Sequence, residues 1–183
     1  MADNSLTDLH KLVWTALMAA TIGAGAYLIV PIGPVPVSMQ PFFVFLAGYI
    51  LGPRYGALAV GLYLLAGTIG LPVFAGGKSG LGHLLGPTGG YLFGFAVAAF
   101  LCGMARRKES VIPWLKGLAW GGGALLAVYV IGGIWLKFAL SFSWSKALLV
   151  GVVPFIPWDF IKFVAALACC RYISKYNLLP GQR

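Results

Sequence analysis

The chain is short of charge, and shortest of negative charge. Of its 183 residues only 9% are charged, with 4 Asp+Glu against 13 Lys+Arg. A soluble globular domain carries about 25% charged residues. This chain cannot coat a water-facing surface, which excludes an ordinary soluble enzyme, a disordered tail and a collagen-like fibre. Cysteine is scarce as well. Cys102, Cys169 and Cys170 all lie in apolar stretches, their number is odd and none forms a CxxC pair. That argues against a disulfide framework or a metal site and for small buried hydrophobes. Two histidines without a second ligand at metal spacing make His83 a poor metal ligand.

What is plentiful is apolar side chain: 60% of residues, with mean hydropathy +0.91. The apolar residues come in long runs rather than in the alternation of lipid-facing strands, so a barrel is disfavoured. A chain in lipid must satisfy its own backbone hydrogen bonds, so helices are expected. The net charge of +9 would suggest nucleic acid in a soluble protein. Here the cations sit at the ends of apolar runs and read as topology signals instead.

A span needs about 20 mostly apolar residues. Between Lys11 and Arg54 stand 42 uncharged residues, broken by the prolines of PIGPVP. The pattern predicts an all-α, polytopic membrane protein of one domain, 1–183, with six transmembrane helices. Their spans are about 12–30, 38–51, 55–69, 90–104, 117–137 and 157–172. Residues 5–11 read as a short amphipathic surface helix. Asp3 and Asp8 argue against a cleaved signal peptide. With both termini cytoplasmic, Lys11, Arg54, Arg106, Arg107, Lys108, Lys116, Arg171, Lys175 and Arg183 fall inside, and only Lys78, Lys137 and Lys146 outside. This matches the positive-inside rule.

Two apolar segments, 31–37 and 70–89, are too rich in proline and glycine to be regular helix. Both fall on the outer side. Irregular backbone at membrane depth is tolerated where it is buried in protein or lines a cavity, so they read as a lid over an outward pocket. Neither carries a phosphate loop. Five positions before Gly77-Lys78-Ser79 stands Pro72, not glycine. No nucleotide site is expected in this chain.

Asp159 and Lys162 are the sharpest feature. Three residues apart, they share one helix face, inside a span where a charge costs at least about 2.5–3.5 kcal/mol. Such groups persist when they pair, face a cavity or bind something. Together they offer a carboxylate acceptor and an ammonium donor to a small polar ligand. Ser38, Gln40, Lys78, His83 and Tyr91 could join them, with Phe74 and Trp158 as apolar walls. A second carboxylate, a His beside a nucleophile and a metal cluster are all missing, which argues against an intramembrane enzyme. Ala16, Ala20 and Ala24 form a small-xxx-small row that allows close helix approach, within the chain or to a partner. Gly90 and Gly94 make a similar row that reads as internal packing.

Several motifs carry a resemblance: PVPVSMQPF (34–42), LAGYILGPRYG (46–56), GLPVFAGG (70–77), GPTGGYLFGF (86–95) and PWDFIK (157–162). In this order they resemble the BioY family, the biotin-specific S components of energy-coupling-factor (ECF) vitamin transporters. The resemblance implies a six-helix S-component bundle in a prokaryotic plasma membrane that captures biotin from outside. It implies docking to a transmembrane T component coupled to two ABC-type ATPase subunits, with Ala16 and Ala20 at the T-component contact. No cofactor is implied, since the partners would hydrolyse ATP. It further implies that Asp159 accepts from the ureido N–H groups, while Lys162 donates to the ureido carbonyl or to the tail carboxylate. Phe74 and Trp158 would cover the rings, and Tyr91, Gln40, Ser38 and Lys78 would be further contacts. An S component for another vitamin is the alternative.

Overall fold

The computed structural model describes residues 2–30, 35–107 and 109–176, with backbone alone for 2–8. The described residues are mostly helical. Helix α1 spans Ala2–Gly25, a two-residue strand pair follows (β1, Ile29–Val30; β2, Val37–Ser38), and then come α2 (Gln40–Thr68), α3 (Leu81–Leu84), α4 (Gly89–Arg106), α5 (Trp114–Ala139), α6 (Trp144–Gly151) and α7 (Ile156–Lys175).

Helix α2 is two helices joined at a sharp reversal. Gly52 takes φ 79° and ψ −178°, and Pro53 follows. That backbone region is open essentially to glycine alone. The chain then doubles back. Gln40 Nε2 donates to the Tyr63 hydroxyl at 2.6 Å across 23 residues, a separation that would be about 35 Å in a straight helix. A Cβ on Gly56 would lie 2.8 Å from the Gly48 Cα, so the arms 40–51 and 53–68 pack backbone to backbone. The two segments expected at 38–51 and 55–69 are therefore present as antiparallel neighbours.

Helix α4 fills the centre. A Cβ on Gly48 would meet the Ala99 carbonyl oxygen at 2.4 Å, and one on Gly103 the Gly52 carbonyl carbon at 2.3 Å. Gly90 and Gly94 face α5: a Cβ on Gly90 would lie 2.2 Å from Trp135 Cβ. Small residues let these helices approach where lipid supplies no hydrophobic drive. Tyr49, fully buried, donates from its hydroxyl to the Gly117 carbonyl at 2.8 Å, tying α2 to α5. Cys102 and Cys170 are buried, and Cys169 is half-buried.

Other boundaries differ. Helix α1 stops at Gly25, five residues before the expected 30, because Ala26 and Tyr27 hydrogen-bond back in a turn that leads into β1. The expected surface helix 5–11 is continuous with α1. Two short helices, α3 and α6, were not expected. Ser143 caps α6 by accepting from the Lys146 N–H at 3.3 Å. Helices α4 and α5 are each long and apolar enough to cross a membrane; α2 reaches that length only with its two antiparallel arms taken together, and α6 with α7, bent by 49°, would together make one further crossing.

Candidate functional site

The beginnings of α2, α4 and α7 converge at one end of the bundle. Gln40 opens α2, Tyr91 lies in the first turn of α4 and Asp159 in the first turn of α7. Between them lies a cavity lined mainly by apolar side chains, among them Val37, Phe95, Val128 and Phe155. Both irregular segments contribute walls: Val35, Pro36 and Val37 from the first, and Ala75, His83 and Thr88 from the second. Of the expected lid segment 31–37, residues 31–34 lie outside the described residues.

Among the described residues Asp159 is the only charged one in the lining. It is 5% exposed, and its Oδ1 accepts from Lys162 Nζ at 2.7 Å while Lys162 is 7% exposed. Its Oδ2 accepts from the Tyr129 hydroxyl at 3.1 Å. An ionised carboxylate offers about four acceptor sites, so two remain for a guest. Lys162 does not line the cavity itself; it stands behind Asp159 and has no other partner among the described residues. The two charges are thus joined to each other, and the carboxylate alone also borders a hollow.

The neighbouring polar groups are largely committed. Gln40 donates to Tyr63, and Ser38 Oγ donates to Gln40 Oε1 at 3.3 Å. The Tyr91 hydroxyl donates to the Gly151 carbonyl at 2.7 Å, pinning α6 to α4. Ser38, Gln40 and Tyr91 line the cavity.

Four expected contacts lie outside the lining: Lys162, set behind Asp159, and three others. Trp158 is 56% exposed and turned away from the cavity, because it neighbours Asp159 in a helix and so faces another side. Phe74 is fully buried but outside the lining. Its ring packs edge-on against Tyr63 (centroids 5.6 Å apart) and stacks on His83 (5.3 Å), anchoring the 70–80 loop. Lys78 is exposed, and its carbonyl accepts from the Phe74 N–H. The sequence reading missed Tyr129 altogether. Its one signal was a phenol in the middle of an apolar span, where a buried hydroxyl needs a partner.

Two expectations follow. Tyr129→Phe removes one hydrogen bond to the carboxylate and should weaken ligand binding by about 1 kcal/mol, roughly fivefold. Trp158→Ala should leave affinity within about twofold; isothermal titration of both variants checks this. His83 lies in the loop, and burial, then the Lys78 charge, lower its pKa from 6.5. A depressed histidine binds fewer protons folded than unfolded, so its contribution is intact above about pH 6.5 and is lost as pH falls below that value. Melting temperatures at pH 7.5 and 5.5 should show His83→Gln losing less stability on acidification than the parent chain.

Comparison with known proteins decides the family. The BioY family profile matches residues 1–177. The chain belongs to the BioY family. It is 45% identical over 170 residues to the biotin transporter BioY of Thermotoga maritima, covering 93% of this chain and 99% of that one. It is 41% identical over 178 residues to the biotin transporter BioY2 of Lactococcus lactis, covering 93% and 96%. Among solved structures, this BioY chain superposes on the S component for biotin from an ECF-type ABC transporter with TM-score 0.86 and 33% identity. That match covers 96% of this chain and 95% of the other.

Proposed function

We propose that this chain is the biotin-capturing S component of an ECF-type transporter in a prokaryotic plasma membrane, a transport protein rather than an enzyme. The relatives' shared activity supports the substrate. The observation that carries the reading within this chain is the Asp159 carboxylate, held by Lys162 and Tyr129 yet retaining acceptor sites at the wall of an apolar cavity. Biotin brings two ureido N–H donors to such a carboxylate and an apolar ring and tail to such walls. Lys162, outside the lining in this structure, would reach the ureido carbonyl or the tail carboxylate only after the wall has moved.

The cavity as it stands has about 60 Å³ of free space, well below the roughly 300–1,000 Å³ of ligand pockets. Capture therefore includes an outward movement of a wall, which we assign to the β1–β2 pair, only two residues per strand. We further infer six crossings in one membrane domain, counting α1, the two arms of α2, α4, α5 and the α6–α7 pair. Both termini would then be cytoplasmic. Contacts at the end remote from the cavity support that orientation: Lys11 lies over Tyr55, Arg106 donates to Ser174, and Arg171 donates to the Ile112 carbonyl. That end gathers the cations. Ala16, Ala20 and Ala24 all lie on the exposed face of α1, opposite buried Thr15, Met18 and Ile22, which suits Ala16 and Ala20 to docking a T component. ATP hydrolysis is assigned to the partner ATPases.

A thermal-shift panel on the detergent-purified chain tests the substrate. A ligand that binds only the folded state stabilises it by about 2.7 kcal/mol at a hundred times its Kd. Biotin should raise the melting temperature, and thiamine and riboflavin should not; a shift with another vitamin and none with biotin would overturn the assignment.

A further inference from the structure

A second cleft opens at the opposite end of the bundle from the Asp159 cavity. It has a volume of about 660 Å³ and is lined by Leu51, Pro53, Arg54, Tyr55, Phe100, Met104 and Arg107. The α2 reversal builds it. Gly103 abuts the Gly52–Pro53 link, so Arg54, one residue further along, and Arg107, one turn further along α4, come to border the same space. Both side chains are exposed. Among the described residues neither guanidinium has a carboxylate partner. A third cation, Lys11, lies 5.8 Å from the centre of the Tyr55 ring at the rim.

The walls running away from these cations are apolar and uncovered. On α4, Phe93, Val97 and Phe100 are each about two-fifths exposed. They fall with Met104 on one helical stripe that ends at Arg107. On the second arm of α2, Leu58, Leu62 and Leu65 are exposed in a stripe that begins at Arg54. Each stripe is thus an apolar track with an arginine at the same end. We propose that this cleft binds one anionic phospholipid, its phosphate held by Arg54 and Arg107 and its acyl chains lying along Phe100 and the α4 track. Guanidinium groups match phosphate oxygens in paired hydrogen bonds, and basic pockets between membrane helices take anionic headgroups. A free anion would use the arginines but leave the tracks bare. An acidic protein segment would match the charge but not apolar tracks that run the length of two helices.

Native mass spectrometry of the detergent-purified chain, titrated with phosphatidylglycerol or phosphatidylcholine, tests the assignment. Phosphatidylglycerol should bind at least about tenfold more tightly. Arg54→Gln/Arg107→Gln should lose about tenfold or more of that affinity, Arg54→Lys/Arg107→Lys should keep most of it, and Lys175→Gln should keep all. The biotin-induced thermal shift should be unchanged in every variant, which separates failure here from failure of the biotin site. If the double glutamine variant does not fold, Met104→Glu places a carboxylate in the cleft with both arginines kept and should give the same loss. Equal binding of the two lipids, or unaltered phosphatidylglycerol affinity in the variants, would overturn the proposal. So would a thermal shift with inorganic phosphate matching that with phosphatidylglycerol, or one with polyglutamate matching it, the latter pointing to a protein partner.

Discussion

Asp159→Asn should weaken biotin binding by about a hundredfold or more. Truncating one member of a buried, hydrogen-bonded charge pair at a binding interface costs about 2–5 kcal/mol or more, and about 1.4 kcal/mol is a factor of ten. The amide removes the negative charge and replaces one of the two accepting oxygens with an NH2 donor, which cannot accept from a ligand N–H, and it leaves Lys162 with an uncompensated charge at 7% exposure. Breaking such a pair also destabilises the fold, by about 3–5 kcal/mol, so the variant should melt earlier even without ligand. Lys162→Met in the same chain then becomes informative. Asp159→Asn/Lys162→Met removes both charges and should recover much of the lost stability while binding stays lost. Affinity and melting temperature measured on both variants and the parent chain separate the ligand role from helix locking. Recovery of binding together with stability would mean that the pair only holds helices together.

The second large effect lies at the α2 reversal, where two glycines are required for different reasons. At Gly103 an added methyl would sit 2.3 Å from the Gly52 carbonyl carbon and 2.5 Å from Pro53 Cα. Backbone cannot yield as a side-chain tip can, so Gly103→Ala should destabilise by about 1–3 kcal/mol or more through overpacking. At Gly52 nothing lies within 4 Å of an added Cβ, but φ is 79°. Gly52→Ala should therefore cost about 1–3 kcal/mol through backbone strain alone. Scanning calorimetry or melting by intrinsic fluorescence reads both, and Gly61→Ala, with open space and ordinary φ, should change little. A neutral Gly103→Ala would contradict the close packing of α4 on the reversal.

Much of this architecture was readable from residue order, and the exceptions have physical causes. The reversal was visible only as the gap at Arg54 between the expected spans 38–51 and 55–69. The Asp159–Lys162 face was visible because two opposite charges at helical spacing stand out in an apolar span. Trp158 misled because an aromatic beside a candidate carboxylate looks like a wall, whereas adjacent helix residues point about 100° apart. Phe74 misled in the other direction: the loop turns its ring inward to fill the space left by Gly67, where a Cβ would meet it at 2.2 Å. Tyr129 was missed because its partner lies 30 residues away, a distance that only tertiary folding closes. Helix α6 was missed because eight residues are too few to be read as a span.

A crystal structure of the chain with biotin tests the central claim most directly. The account predicts biotin within the cavity between α2, α4, α5 and α7, with a ureido nitrogen or another polar atom at hydrogen-bond distance, about 2.7–3.2 Å, from Asp159, and with the β1–β2 pair displaced outward. Biotin bound elsewhere, with the Asp159–Lys162–Tyr129 cluster untouched, would contradict it.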